Sequence, residues 1–242
     1  MGNENLNVKC KLKNANPKTI IENYLSSCGV KNVNQYLQAD ESKIENPNLY
    51  LNIDAAISRL KMAIENHEKV AILVDCDNDG LCSSVICYDF FKRHDLIATP
   101  IFHYGDKAHG IKMNGGEDII SKIKNLNPDL LIIPDASADA ESSKELVKNG
   151  IDVLIFDHHE YDFNSNPYAI IVNCLQQKNT NQAASGTVVM QKIIDRYCDV
   201  YGEMKIDNSD LIASSIASDV MSLISIENRA YMNIAKRMEY YE

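Results

Sequence analysis

Asp75, Asp77 and Asp79 stand at alternate positions directly after the unbroken apolar run Val70-Ala71-Ile72-Leu73-Val74, and Gly80 follows them. An apolar run of that length reads as a strand buried on both faces. Three carboxylates at one strand end are costly unless a cation neutralises them, and their hard oxygens suit a divalent metal. Gly80 permits a tight turn, and Leu81 to His94 has the length of a helix. A strand that delivers ligands and then turns into a helix belongs to an α/β sheet, which binds at the carboxyl ends of its strands.

The arrangement recurs. Leu130-Leu131-Ile132-Ile133-Pro134 runs into Asp135, Val153-Leu154-Ile155-Phe156 into Asp157-His158-His159, and the small, largely apolar stretch Ile212 to Ser218 into Asp219. Four segments that end on Asp or His point to one shared site. Strands are expected near 70–75, 99–103, 130–135, 152–157 and 169–172. Helices are expected near 17–27, 33–38, 53–66, 81–94, 115–125, 139–149, 184–200, 207–223 and 227–241. From Val70 onward strands and helices alternate, which predicts a parallel sheet with helices on both faces behind a helical lead-in.

Length and charge narrow the function. A chain of 242 residues can form one substantial core, and we expect a single domain: an irregular and helical lead-in over 1–66, an α/β metal-binding core over 67–226 and a last helix starting at 227. No apolar run of 18 residues occurs, so no membrane association is expected. The first residues lack a signal-peptide core. Seven cysteines without regular spacing read as reduced thiols of a cytoplasmic protein. The net charge of −10 argues against a broad electrostatic grip on duplex nucleic acid, though bound metal would offset part of it. Cys76 is expected to alternate away from the carboxylates. The rival EF-hand reading of Asp75 to Gly80 needs a Glu at its twelfth position, and Ile86 stands there.

The ordered set of Asp75-x-Asp77-x-Asp79-Gly80, a lone Asp135, Asp157-His158-His159 and a late Asp219 resembles the DHH phosphoesterase superfamily, and within it the RecJ-like single-strand exonucleases. The lead-in from about residue 20, the helix start Ser185-Gly186-Thr187 and the segments Ile216 to Val220 and Glu227-Asn228-Arg229 are also similar to RecJ-type proteins. The resemblance implies a fold of DHH type and two Mn²⁺ or Mg²⁺ ions per chain. Asp75 and Asp77 would serve one ion, Asp79, His158 and Asp219 the other, and Asp135 would bridge them. His159 would contact the scissile phosphate, and Asp157 would orient the loop. Lys107 and His109 are candidate substrate contacts, although Lys107 stands where relatives carry Arg and lacks its bidentate fork. Ser185 and Gly186 could offer backbone amides to a phosphate.

The resemblance further implies single-stranded nucleic acid, DNA before RNA, as substrate. RecJ-type proteins continue into a second domain with a Gly-Gly-His motif, which is absent from this sequence; the resemblance leaves two alternatives open, a catalytic-domain form, natural or truncated, or a separate subunit as partner that supplies that half. Two other readings stay open. One is a phosphodiesterase for short oligonucleotides or cyclic dinucleotides, against which Asp75 occupies the place where those enzymes usually carry a histidine. The other is a catalytically idle DHH subunit of a replication or repair complex.

Overall fold

The computed structural model describes residues 16–102, 110–111, 119–160, 162 and 165–237. They divide into two compact units with the boundary after Gln38. The first holds α1 (Pro17–Ser27) and α2 (Val33–Leu37). Pro17 opens α1 behind an Asn16 cap, whose side-chain oxygen accepts from the Lys18 amide at 3.0 Å.

The second unit is built on five parallel strands, β1 (Val70–Val74), β2 (Thr99–Phe102), β3 (Leu130–Pro134), β4 (Asp152–Asp157) and β5 (Ile170–Asn173). Their spatial order is β2-β1-β3-β4-β5, so the winding reverses between β1 and β3. Apart from the edge strand β2, where only Ile101 is buried, the strands read as apolar runs because both faces are covered. Val70, Ile72, Val74, Leu130, Ile132, Leu154, Phe156 and Val172 face one core, and Ala71, Leu73, Leu131, Ile133, Val153, Ile155 and Ile171 face the other. On the first face lie α3 (Ile53–Glu65), α4 (Asn78–Arg93), α7 (Gly186–Tyr201), α8 (Ser209–Ser218) and α9 (Ile226–Ala235). On the second lie α5 (Ile119–Leu126) and α6 (Ala140–Lys148). The expected α/β class, with a parallel sheet covered on both sides, is the observed one. The lead-in is not one piece, since α3 packs into the main core while α1 and α2 form the first unit.

Two helix boundaries differ from the sequence reading. Helix α4 begins at Asn78, inside the acidic motif, because Asp77 caps it by accepting from the Gly80 amide at 2.9 Å. Asp79 and Gly80 therefore lie in its first turn, and Gly80 makes no separate turn. Helix α8 stops at Ser218, so Asp219 caps its end instead of sitting within a longer helix. The last helix begins at Ile226, and residues 238–242 lie outside the described part. Among the described residues, no helix is long and apolar enough to cross a membrane.

A buried charge cluster ties α9 to this frame. Lys192 on α7 is fully buried; its ammonium donates to the Glu45 carbonyl at 2.5 Å and pairs with Glu227 on α9. The same Glu227 oxygen accepts from the Glu45 amide at 2.8 Å, and the Glu45 carboxylate accepts from the Asn181 amide at 2.7 Å. Burial, followed by the Glu227 charge, raises the Glu45 pKa.

Candidate metal centre

Strands β1, β3 and β4 release Asp75, Asp135 and Asp157 at their carboxyl ends, and the first two flank the point where the winding reverses. In open α/β sheets such a reversal is where ligands bind. Asp75, Asp79, Asp135 and Asp157 are all buried. Ligand-type atoms of Asp75, Asp77 and Asp135 lie within 4.8 Å of one another, as do those of Asp79, His158 and Asp219, and those of Asp135, Asp157, His158 and His159. Asp135 thus belongs to the first and third groups, and His158 to the second and third.

His158 is the focus of the charge. Its Nε2 lies 3.2 Å from Asp135 Oδ1, 3.5 Å from Asp219 Oδ2 and 3.7 Å from Asp79 Oδ2. Yet neither His158 Nε2 nor Asp135 Oδ1, both buried, has a hydrogen-bond partner among the described residues. Buried polar atoms are rarely left so. Three carboxylate oxygens converging on one imidazole nitrogen without hydrogen-bond geometry match the donor set of a divalent cation such as Mn²⁺ or Mg²⁺. Burial, then the charges of Asp79, Asp157 and Asp77, push the Asp135 pKa well above the usual carboxylate range. Burial also raises Asp219, against the opposing charge of His158. A bound cation would reverse both effects.

The backbone at Asp135 is left-handed, with φ of 58°, a conformation that Asp and Asn tolerate better than most residues. Two glycines let neighbouring segments approach. A Cβ on Gly80 would lie 2.5 Å from the Asp75 Cβ, and one on Gly186 would lie 2.4 Å from Asp135 Oδ1. Gly186→Ala should therefore force Asp135 or the start of α7 to move. We expect Mn²⁺ affinity to fall about 10- to 100-fold and stability to drop by about 1–3 kcal/mol. Calorimetric Mn²⁺ titration and urea unfolding check both, and wild-type values in both would refute the packing argument.

Ser185 and Gly186 are placed differently from their expected role. The Gly186 and Thr187 amides donate to Asp79 at 2.7 and 2.8 Å, and the Thr187 hydroxyl donates to it at 2.5 Å. Ser185 is fully buried; its hydroxyl caps α7 by accepting from the Val188 amide at 3.3 Å and meets the Ser215 hydroxyl at 2.8 Å. The N-terminus of α7 thus grips an aspartate of the site itself where the sequence suggested a phosphate. Thr187 was missed as a site residue; its one signal is a hydroxyl in the first turn of a helix that opens with Ser-Gly. Asn173 was missed too. It is fully buried at the end of β5 and donates to the His159 carbonyl at 3.0 Å. Lys107 and His109 lie outside the described residues.

Asp157 Oδ1 accepts from the His158 amide at 2.7 Å, from the His159 amide at 3.3 Å and from His159 Nδ1 at 2.8 Å. Burial pushes the Asp157 carboxyl up, but the His159 hydrogen bond and the histidine charges outweigh it, and the net shift is downward. The same hydrogen bond raises His159, whose side chain is 49% exposed.

The chain belongs to the DHH family: residues 69–222 match the DHH family, N-terminal domain. Within that family it is similar to RecJ-type proteins. Over 218 residues it is 27% identical to YorK of Bacillus subtilis (strain 168), provisionally named an SPbeta prophage-derived single-strand DNA-specific exonuclease. That match takes in 86% of this chain and 35% of YorK. Over 127 residues it is 29% identical to the single-stranded-DNA-specific exonuclease RecJ of the same organism, across 52% of this chain and 16% of that one. The chain therefore spans only a minor part of the length of these relatives. Among solved structures, a RecJ from Thermus thermophilus in complex with Mn²⁺ superposes with a TM-score of 0.66 at 19% identity, covering 77% of this chain and 26% of that one. Another manganese-bound RecJ exonuclease reaches 0.69 at 20% identity, covering 77% and 47%. At such identities the likeness is one of fold.

Proposed function

We propose that this chain hydrolyses phosphodiester bonds in single-stranded nucleic acid, DNA before RNA, with two divalent metal ions, and that residues 39–237 form the catalytic unit. The observation that carries this reading is the convergence of the Asp79, Asp135 and Asp219 carboxylates on His158 Nε2, within 3.7 Å, beside the second cluster of Asp75 and Asp77. Two Mn²⁺ or Mg²⁺ ions would supply the Lewis acidity that activates a water and offsets charge on the phosphate. Asp75 and Asp77 would hold one, Asp79, His158 and Asp219 the other, and Asp135 would serve both. The α7 amides hold the Asp79 carboxylate in place. Asp157 holds Nδ1 of His159, and the raised pKa of that imidazole favours its protonated form. The exposed part of His159 then donates to a phosphoryl or leaving-group oxygen as charge develops there. Single-strand specificity is stated in the names of YorK and RecJ, and we extend it to this chain.

The test separates the two histidines. The wild type in Mn²⁺ should shorten an end-labelled single strand faster than a blunt duplex, and should bind two ions per chain at saturation. His158→Ala should lose one ion and its activity. His159→Ala should keep both ions while turnover falls about 10²-fold. Equal metal loss in the two variants would dismiss the division of roles. Cleavage of a cyclic dinucleotide in preference to the strand would reassign the substrate.

A further inference from the structure

Six non-glycine residues in the described chain have left-handed φ: Asn52, His67, Asp95, Asn127, Asp135 and Val220. Five are Asn, Asp or His, the types that tolerate this region. Val220 is the exception, at φ 52°. It follows the cap of α8, where the Met221 amide donates back to the Ile216 carbonyl at 3.0 Å, and that position usually takes Gly or Asn. A β-branched residue is strained there. Burial does not compensate, because Val220 is 87% exposed. Strain and exposed apolar surface thus coincide on one residue, which gains the fold nothing.

Its place accounts for it. Val220 directly follows Asp219, whose carboxylate stands 3.5 Å from His158 Nε2, and the same loop exposes Ile224 at 54%. A nucleotide with its phosphate at this centre carries a sugar and a base within a few ångströms of the phosphorus. With a net charge of −10 the chain has little long-range attraction for a polyanion. The metal ions and His159 would address only the phosphate, so grip on the sugar and base needs a contact beside the site. We infer that Val220 is a substrate-contacting residue that packs against the sugar and base of the nucleotide at the centre, an assignment that rests on the function proposed above. The strained backbone holds it in place at the expense of stability, as strain at functional sites does.

Val220→Gly relieves the strain and removes the contact, so stability and affinity should move in opposite directions. Thermal melting should rise by about 3 °C. Binding to a fluorescent, phosphorothioate-linked single strand in Mg²⁺, read by anisotropy, should weaken about fivefold. Val220→Ile keeps the apolar contact and should bind within about twofold of wild type without the gain in melting temperature. Unchanged affinity in Val220→Gly, a lower melting temperature for it, loss of binding in Val220→Ile, or a wild type that does not bind the strand would each overturn the inference. A parallel incubation with an unmodified strand in Mn²⁺ keeps the two readings apart. Binding that depends on Val220 without cleavage would sink the hydrolase and spare the contact, and cleavage with Val220-independent binding would do the reverse.

Discussion

Asp135→Asn should remove hydrolysis almost completely while making the metal-free protein more stable. Asn accepts the left-handed backbone that this position requires, so the loop is retained. On the proposed two-metal reading the amide cannot supply the negative charge that both cations would share, and activity should fall at least about 100-fold with loss of Mn²⁺ affinity. Without metal the sign reverses. Burial and the nearby carboxylates raise the Asp135 pKa in the folded state, so its contribution to stability is lost as pH rises through that folded value. Asn carries no such penalty. In EDTA at pH 8 the variant should melt about 2–4 °C above wild type, and in saturating Mn²⁺ the order should invert. A variant that melts lower than wild type in EDTA would show that the carboxylates do not repel one another as their spacing implies.

The second large effect is on folding. Lys192→Met should cost about 3–5 kcal/mol, because it leaves the Glu227 carboxylate buried without its cation. The other oxygen of Glu227 already lacks a hydrogen-bond partner among the described residues, and the one neutral amide that remains, from Glu45, does not replace a cation. A loss of that size is a large part of a domain's stability. Pairing Lys192→Met with Glu227→Gln removes both charges and should recover more than half of the loss. Urea unfolding of the two variants decides the matter, and a single variant within about 1 kcal/mol of wild type would contradict it.

The features that could be read from the sequence were the local ones. Val70–Val74, Leu130–Pro134 and Asp152–Asp157 are legible as strands because burial on both faces leaves an unbroken apolar run, and each run points at the aspartate beyond it. The grouping of Asp75, Asp77, Asp79, Asp135, His158 and Asp219 followed from that geometry and from the family resemblance. What escaped depends on contacts across the chain. The Gly186 and Thr187 amides look available in sequence, and only folding brings Asp79 to them. Asp77 as a cap could not be told from Asp77 as one of three equivalent carboxylates. Lys192 reads as the polar side of a helix, and its burial needs Glu45 and Glu227 from opposite ends of the unit. Nothing in the residue identity of Val220 announces a left-handed backbone, since valine is among the residues least suited to it.

The grip of α7 on Asp79 also sets an order of events. Gly186 and Asp79 are 107 positions apart, and His158 comes from a third segment, just after β4. Closing loops of that length costs entropy that only well-packed elements repay. On the proposed assignment, Asp75 and Asp77 can attract a cation in an incompletely folded chain, whereas Asp79, His158 and Asp219 come together only after β1, β4, α7 and α8 have docked. Fast mixing with Mn²⁺ during refolding should therefore show an early weak association and a late tight one. The late phase should coincide with recovery of native near-ultraviolet dichroism, so that metal capture acts as a clock for the last step of folding.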